Sequence, residues 1–175
     1  MMAPSSASPA AVLRARAQAL ARPVATPPAA DMLDVLEFHL AAERYAVETR
    51  HVREVRALQQ LTPLPGTPDF VRGIVNLRGR IVPVFDLLLW LRLPRPGLAD
   101  LHRIVLVGDD RLEFGILADV GVAVRQLPRG SLQPPPPTLA ATAAAGLLGV
   151  AADGLIVLDM EHLLADPRIL VDDGA

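Results

Sequence analysis

Apolar and polar residues alternate in short runs from Leu33 onward, and turn-forming residues bound each run. The segments MLDVLEFHL and ERYAVETR meet at AAE, residues 41–43, which is typical of a β-hairpin. GDD followed by RLEF at 108–114 predicts a second hairpin. Further short strands are predicted in VREVRALQQL, HRIVLVGDD, RLEFGILADV, VAVRQL, LLGVA and GLIVLDM. Many short strands at regular spacing predict an all-β barrel or sandwich.

Three segments break this pattern. TPLPGTPDF at 62–70 is rich in proline, which regular elements tolerate poorly, so it predicts a shaped loop. QPPPPTLAATAAAG at 133–146 predicts an extended connector without a strand or helix. EHLLADP predicts a short closing helix that ends at Pro167.

The segment VNLRGRIVPVFDL at 75–87 carries a pattern of period two. The odd positions predict one buried face made of Val75, Leu77, Ile81, Pro83, Phe85 and Leu87. The even positions predict an exposed face made of Asn76, Arg78, Arg80 and Asp86. Gly79 suits a turn position with positive φ. Pro83 lacks a backbone N–H, which predicts an edge strand or a bulge.

Asp86 precedes LLLWLRL, where its carboxylate is expected to cap a short helix. On that helix Leu87, Trp90 and Leu91 share a face for the core. Leu88 and Leu89 then point partly outward. They form either an additional contact surface or part of the interior, and the pattern alone does not separate these two interpretations.

The chain divides into three parts: a mobile tail rich in Ala, Pro and Arg over 1–30, a domain over 31–168, and a C-terminal tail over 169–175. Arginines are the only charged residues of the first tail, and AAVLRARAQALA within it predicts a short helix that orders on contact. The tail is interpreted as a linker, a partner-binding helix or an organellar transit peptide.

Composition excludes several classes of function. The chain has 51% hydrophobic and 21% charged residues, which is typical of a soluble globular protein. It has no cysteine, and all 17 basic residues are arginine, so disulfides, thiolate sites and lysine chemistry are excluded. A net charge of −2 and few aromatic residues argue against nucleic acid as a partner. No run of 18 apolar residues occurs, so no membrane insertion is expected.

The residues that could carry catalysis are scattered. His39, His51, His102 and His162 form no metal-binding spacing. Asp109 and Asp110 are explained by a turn, and Ser131 lacks the setting of a nucleophile. The sequence therefore predicts no enzyme, no catalytic residue, no metal site and no cofactor.

Several motifs together carry a resemblance to a known family: VREV at 52–55, TPLPGTPDFVRGIVNLRGRIVPVFDL at 62–87, GILADV at 115–120, LQPPPP at 132–137 and GLIVLDMEHLL at 154–164. They resemble the CheW-like family of chemotaxis coupling proteins. The resemblance implies two five-stranded SH3-like β-barrels packed together, with short helices. It also implies a bacterial cytoplasmic adaptor that links the cytoplasmic tips of chemoreceptors to the regulatory domain of the chemotaxis histidine kinase, within membrane receptor arrays.

The resemblance also implies the binding residues. Val52, Glu54 and Arg78 match the family's receptor- and kinase-binding surface, and Gly73 and Asn76 shape the backbone beside it. Two interpretations of Arg78 stay open: an interface anchor, or an internal brace paired with a carboxylate such as Glu54. Val52 fits the core as well as the contact surface.

The chain departs from the family pattern after DL, where it carries Leu88, Leu89 and Arg92. This departure predicts a more apolar partner surface or weak self-association. Two other functions are kept as alternatives: a scaffold of a chemosensory pathway that controls surface motility or a second messenger, and a barrel that binds a small molecule.

Overall fold

The computed structural model describes residues 31–93, 103–119, 121–137 and 141–169. The predicted tail over 1–30, residue His102 and residues 170–175 lie outside these ranges. Within them, no helix has both the length and the apolar character needed to cross a membrane.

The described strands form two five-stranded sheets. The first sheet has the order β8-β1-β2-β10-β9 and contains β1 (Met32–Leu40), β2 (Glu43–Glu48), β8 (Val122–Pro128), β9 (Leu147–Val150) and β10 (Ile156–Leu158). The second has the order β3-β6-β7-β5-β4 and contains β3 (Val52–Ala57), β4 (Val71–Leu77), β5 (Arg80–Phe85), β6 (Arg103–Gly108) and β7 (Glu113–Ala118). The short helices are α1 (Leu87–Trp90), α2 (Ala141–Ala145) and α3 (Met160–Leu164).

Each sheet closes on itself through a single backbone bridge. Thr62, which follows β3, pairs with Ile74 of β4 in the second sheet, and Gln133, which follows β8, pairs with Val150 of β9 in the first. Closure removes the exposed strand edges that an open sheet would present. The prediction of an all-β protein made of two SH3-like barrels with short helices is confirmed.

The two barrels share one strand pattern. In each order, the third and fourth strands are parallel and the other neighbouring pairs are antiparallel. A short helix capped by an aspartate follows the fourth strand in both barrels. Asp86 accepts a hydrogen bond from the N–H of Leu89, and Asp159 accepts one from the N–H of His162. The predicted cap at Asp86 is confirmed, and the second barrel repeats the first as a circular permutation.

The predicted faces of the β4–β5 hairpin are correct on β4 and at Phe85, but wrong at Ile81 and at Asp86, which is buried rather than exposed. Val75 is buried on β4, but Ile81 is 61% exposed while Val82 and Val84 are buried. The turn contains two residues, so Leu77 pairs with Arg80 and Val75 pairs with Val82. Paired residues point to the same side of a hairpin, so the buried positions change from odd to even numbers across this turn.

Two further predictions about local structure are corrected. Of the two alternatives at Pro83, the edge strand is wrong because β5 is an inner strand, whereas a bulge does interrupt the β4–β5 pairing next to Pro83. The pairing of β5 with β7 begins only at Val84, so no bond to β7 requires an N–H at Pro83. The predicted connector over 133–146 contains α2, and Ala143 of this helix is buried. Alanine is the strongest helix former, and tertiary contact stabilises even this short run.

A single aromatic core joins the two barrels. It contains Phe38 and Tyr45 of the first barrel together with Phe85 and Phe114 of the second. Trp90 of α1 is fully buried among them, with ring centroids 5.4 Å from both Phe85 and Phe114. The barrels therefore share their largest hydrophobic contacts and are expected to unfold together.

Hydrogen bonds and an ion pair hold the chain after α3 against this core. The indole N–H of Trp90 donates to Asp166 at 3.0 Å, and the guanidinium of Arg168 binds both Asp166 and the carbonyl of Trp90. Arg168 also lies 5.8 Å from the ring centre of Phe70. Ile169 is buried in the aromatic core, so the folded domain extends one residue into the predicted tail over 169–175.

Acid should weaken the contacts of Asp166 with Trp90 and Arg168 in a defined pH range. Burial by itself raises the pKa of Asp166, but hydrogen bonds from Arg168 and Trp90 outweigh it and lower the pKa to about 2 from 3.8. Because the folded pKa is depressed, the stabilisation is complete above pH 4 and is lost as the pH falls towards 2. We expect about 1–2 kcal/mol of pH-dependent unfolding free energy in this range. Urea titrations of wild type and Asp166→Asn check it, because the variant should lose this dependence.

Candidate functional site

Four of the five predicted binding residues lie towards one end of the second barrel, whereas Gly73 lies five residues before Arg78, near the start of β4. Val52 and Glu54 lie on β3, and Arg78 lies in the turn between β4 and β5. β3 and β4 are the two outer members of the strand order, but barrel closure brings them together. A guanidinium nitrogen of Arg78 is therefore 3.9 Å from a carboxylate oxygen of Glu54. Val52 is half-buried and packs against the shared core.

The turn holds Arg78 in an uncommon conformation. Arg78 has φ +53° and Gly79 has φ +87°, which is the arrangement of a type I′ hairpin turn. The Oδ1 atom of Asn76 accepts a hydrogen bond from the N–H of Gly79 at 2.8 Å and fixes the turn. Left-handed backbone is unfavourable for arginine, and asparagine or glycine would adopt it more easily. The predicted positive φ at Gly79 is confirmed, whereas that of Arg78 was not predicted.

Gly73 permits the closure of the barrel near the start of β4, the strand that leads to this turn. Its φ is +139°, and a Cβ atom at this position would lie 2.2 Å from the carbonyl oxygen of Thr62. Thr62 forms the closing bridge with Ile74, the residue after Gly73, and the two exchange backbone hydrogen bonds of 2.9 and 2.8 Å. Gly73 therefore shapes the backbone that carries Asn76 and Arg78 by allowing two strands to approach closely.

The ion pair between Arg78 and Glu54 is weak. The side chain of Arg78 is 81% exposed, and Glu54 also lies 3.5 Å from Arg56. Exposed ion pairs contribute little to stability, typically below about 1 kcal/mol. The brace suggested by the sequence is therefore present in geometry, but it leaves most of the Arg78 guanidinium available for another carboxylate.

Leu88 does not form the additional contact surface that the sequence suggested. Its side chain is only 4% exposed, and Leu89 is half-buried and packs against the same core. The helix α1 comprises a single turn, and the chain folds back after it so that the N–H of Leu93 donates to the carbonyl of Leu88. Neighbouring residues of such a short buried helix enter the interior on more than one side. The predicted self-association required an exposed apolar surface at these leucines, and Leu88 does not provide one.

The titratable residues considered for chemistry have structural roles. Asp109 accepts hydrogen bonds from the backbone N–H groups of Arg111 and Leu112, and these bonds lower the pKa of Asp109. The interpretation of residues 108–110 as a turn is confirmed. Burial, followed by the neighbouring charge of Arg50, lowers the pKa of His51. Over the described part of the chain, no three acidic or histidine side chains gather where they could hold a metal ion.

Sequence reasoning missed a charged cleft beside Glu54. The cleft has a volume of about 440 Å³ and is lined by Arg53, Glu54, Arg80, Asp109, Asp110, Arg111, Leu112 and Glu113. These residues belong to β3, to β5, to the β6–β7 turn and to the start of β7, which are distant in sequence. The sequence carries no local signal for this cleft, because the contact between Arg80 and Glu113 depends on the pairing of β5 with β7.

Two small five-stranded barrels that share one hydrophobic core define the class of this protein, a paired-barrel β-domain. Residues 34–168 match the family model of the CheW-like domain, and the chain belongs to this family.

Its relatives agree with this assignment. The chain is 34% identical over 148 residues to a chemotaxis protein CheW of Klebsiella aerogenes, which covers 81% of this chain and 88% of that protein. It is 35% identical to protein FrzA of Myxococcus xanthus over 65% of this chain and 70% of that protein. The crystal structure of the scaffolding protein TtCheW from Thermoanaerobacter tengcongensis is similar with a TM-score of 0.65 and 32% identity, covering 77% of this chain and 88% of that one.

Proposed function

We propose that this protein is a chemotaxis adaptor that couples the cytoplasmic tips of chemoreceptors to the regulatory domain of the chemotaxis histidine kinase. One observation carries the proposal: Arg78 stands 81% exposed at the apex of a hairpin, above the half-buried Glu54, on the fold of a CheW-like domain. The protein acts by binding, without catalysis or a cofactor. Its place is the cytoplasm of a bacterium, where its partners hold it at receptor arrays.

The backbone of Arg78 supports a binding role. A residue held in an unfavourable conformation suggests that its side chain is needed there, because a better turn former would stabilise the fold. Arginine is also enriched at interface hot spots, since its planar fork can bind a carboxylate with two parallel hydrogen bonds. Glu54 lies close enough to orient the guanidinium without covering it.

A second candidate is the same adaptor role in a pathway other than flagellar chemotaxis. This candidate is supported by the similarity to protein FrzA, because the identity of 35% to FrzA is close to the 34% identity to the Klebsiella protein. The two candidates share the fold and the binding surface and differ only in the kinase and receptor that bind. Titration against every chemotaxis-type kinase of the source genome separates them.

Replacing Arg78 by asparagine should separate binding from folding. Asparagine suits a type I′ turn, so we expect the free energy of unfolding to stay the same or to rise by up to about 1 kcal/mol. Loss of the guanidinium should weaken binding to the kinase regulatory domain or to the receptor tip about 10- to 30-fold. Isothermal titration calorimetry measures the binding, and urea unfolding measures the stability.

The matched control is Arg103→Gln. Arg103 begins β6 at the other end of the same barrel, so its replacement removes an equal charge away from the proposed surface. This variant should bind like the wild type. Unchanged affinity of Arg78→Asn for both partners would mean that Arg78 has no role in binding.

A further inference from the structure

A second cleft, the inter-barrel cleft, lies where the two barrels meet, and it has a volume of about 480 Å³. The β6–β7 turn forms its wall on the second barrel, and α3 with the two residues after it forms its wall on the first. Leu112 and Leu164 are the half-buried apolar residues of these two walls. His51 also lines the cleft. A change in the charge of His51 therefore acts on both barrels.

His51 is the last residue of a short connection between the barrels. β2 of the first barrel ends at Glu48, a single turn of 3₁₀ helix follows over Thr49–His51, and β3 of the second barrel begins at Val52. The pairing of β3 with β6 is irregular between Val52 and Glu54. Because this irregular pairing comes directly after His51, a displacement of His51 would reach the predicted binding residues Val52 and Glu54.

The surroundings of the His51 imidazole fit only its neutral form. The side chain is half-buried, and its Nε2 atom is buried without a hydrogen-bond partner in the described part of the chain. Protonation places an N–H on both ring nitrogens and a positive charge on the ring. A buried charged donor that lacks an acceptor is strongly unfavourable. The observed arrangement of the cleft is therefore the one that belongs to neutral His51.

The charged side chains around His51 come from every element packed against it: Glu48, Arg50, Asp109, Arg111, Glu161 and Asp166. Each of the four carboxylates already has a partner, which is Arg50 for Glu48 and Glu161, the backbone of the β6–β7 turn for Asp109, and Arg168 for Asp166. The imidazolium form of His51 can therefore gain a carboxylate as acceptor only if the side chains of the cleft rearrange.

The pH range of this rearrangement follows from the same contacts. Burial, and after it the positive charge of Arg50, lowers the pKa of His51 from 6.5, although the acids around it act in the opposite direction. Because the pKa in the folded protein is depressed, the neutral ring and its cleft are kept above pH 6.5. They are lost as the pH falls through the folded pKa.

We propose that His51 makes this adaptor sensitive to pH, because its protonation rearranges the inter-barrel cleft and weakens partner binding at Val52 and Glu54. The effect on binding rests on the proposed adaptor function, whereas the rearrangement of the cleft does not. The coupling is reciprocal, so a partner that binds the observed arrangement should lower the pKa of His51 further.

Nuclear magnetic resonance of the full chain between about pH 8 and about pH 5 tests the cleft without any partner. The imidazole resonances of His51, assigned by comparison with His51→Gln, should titrate with a midpoint below 6.5. The amide resonances of Leu112 and Leu164, on opposite walls, should shift with the same midpoint and should lose this shift in His51→Gln. Shifts at one wall only, or shifts that persist in His51→Gln, would overturn the rearrangement.

Two further variants serve as controls. His162→Gln removes an exposed histidine of α3, and it should retain the shifts at both walls. Glu161→Gln removes an acid whose charge raises the pKa of His51, so the midpoint of His51 should move to lower pH. An unchanged midpoint in Glu161→Gln would contradict the electrostatic environment assigned to His51.

Calorimetric titration with the kinase regulatory domain and the receptor-tip fragment, at the two ends of the same pH range, tests the effect on binding. From the higher to the lower pH, the dissociation constant of the wild type should rise at least about threefold more than that of His51→Gln. Comparison of the two proteins removes the pH dependence of the partners themselves. His162→Gln should behave like the wild type.

Failure of the two proposals is distinguishable. Shifts at both walls of the cleft without binding to any kinase or receptor tip overturn the adaptor function alone. Binding whose pH dependence is the same in the wild type and in His51→Gln overturns the role of His51 alone.

Discussion

Replacing Gly73 by alanine is expected to lower the free energy of unfolding by about 3 kcal/mol or more. The new Cβ atom would lie 2.2 Å from the carbonyl oxygen of Thr62, and both groups belong to backbone that cannot move aside without breaking the bridge between Thr62 and Ile74. The positive φ of +139° adds conformational strain. Because this bridge closes the second barrel and β4 leads from it to Arg78, the loss should extend to the binding surface.

Gly66→Ala is the control for strain alone. Gly66 has φ +81°, but a Cβ atom there would have no neighbour within 4 Å. Its substitution should cost about 1 kcal/mol, so urea unfolding should show a clear difference between the two variants. Equal losses in Gly73→Ala and Gly66→Ala would contradict the account of barrel closure.

Trp90→Ala is expected to cost about 3–5 kcal/mol. The side chain is fully buried, its ring stacks on Phe70 with centroids 5.8 Å apart, and it meets Phe85 and Phe114 edge-on. The substitution also removes the indole N–H that donates to Asp166. Since the surrounding core contains residues of both barrels, the loss should appear as one cooperative transition at a lower urea concentration.

Trp90→Phe is the matched variant because it keeps an aromatic ring and removes the indole N–H. Its cost should be clearly smaller than that of Trp90→Ala. Far-UV circular dichroism follows the unfolding of each, since Trp90 is the only tryptophan and its fluorescence is lost in both. Two separate transitions in Trp90→Ala would contradict a core shared by the two barrels.

Local patterns in the sequence were sufficient to predict the strands and the turns. Short segments rich in apolar residues and bounded by turn residues marked β1, β2, β6 and β7, and the aspartate before LLLW marked the cap of α1. The face of Ile81 was predicted wrongly because the number of residues in a turn decides which positions pair across it. The burial of Leu88 depends on what surrounds α1, and helical periodicity carries no such information.

The relation between the barrels could not be predicted because it is not a simple repeat. The second barrel uses five strands consecutive in the chain, whereas the first joins β1 and β2 to β8, β9 and β10. Such a circular permutation places equivalent segments at irregular spacing, so a search at a fixed period misses it. The segments PVFDLLLW and IVLDMEHLL are equivalent in the two barrels, and each contains an aspartate that caps a short helix.

The candidate site was predictable only in part. The family resemblance indicated Glu54 and Arg78, and the structure brings these two residues to 3.9 Å. The cleft depended on contacts between β3, β5 and the β6–β7 turn, which no local pattern records. Exposed arginines are common on any protein surface, so the exposure of Arg78 alone does not identify a binding site.

Calorimetric titration of the full chain with the purified kinase regulatory domain and with a receptor-tip fragment from its own genome decides whether this protein is a chemotaxis adaptor. An adaptor should bind each of them saturably and one-to-one, with Arg78→Asn weakening at least one of these interactions and Arg103→Gln weakening neither. Absence of binding to every such kinase and receptor, from a sample that unfolds cooperatively, would contradict this function.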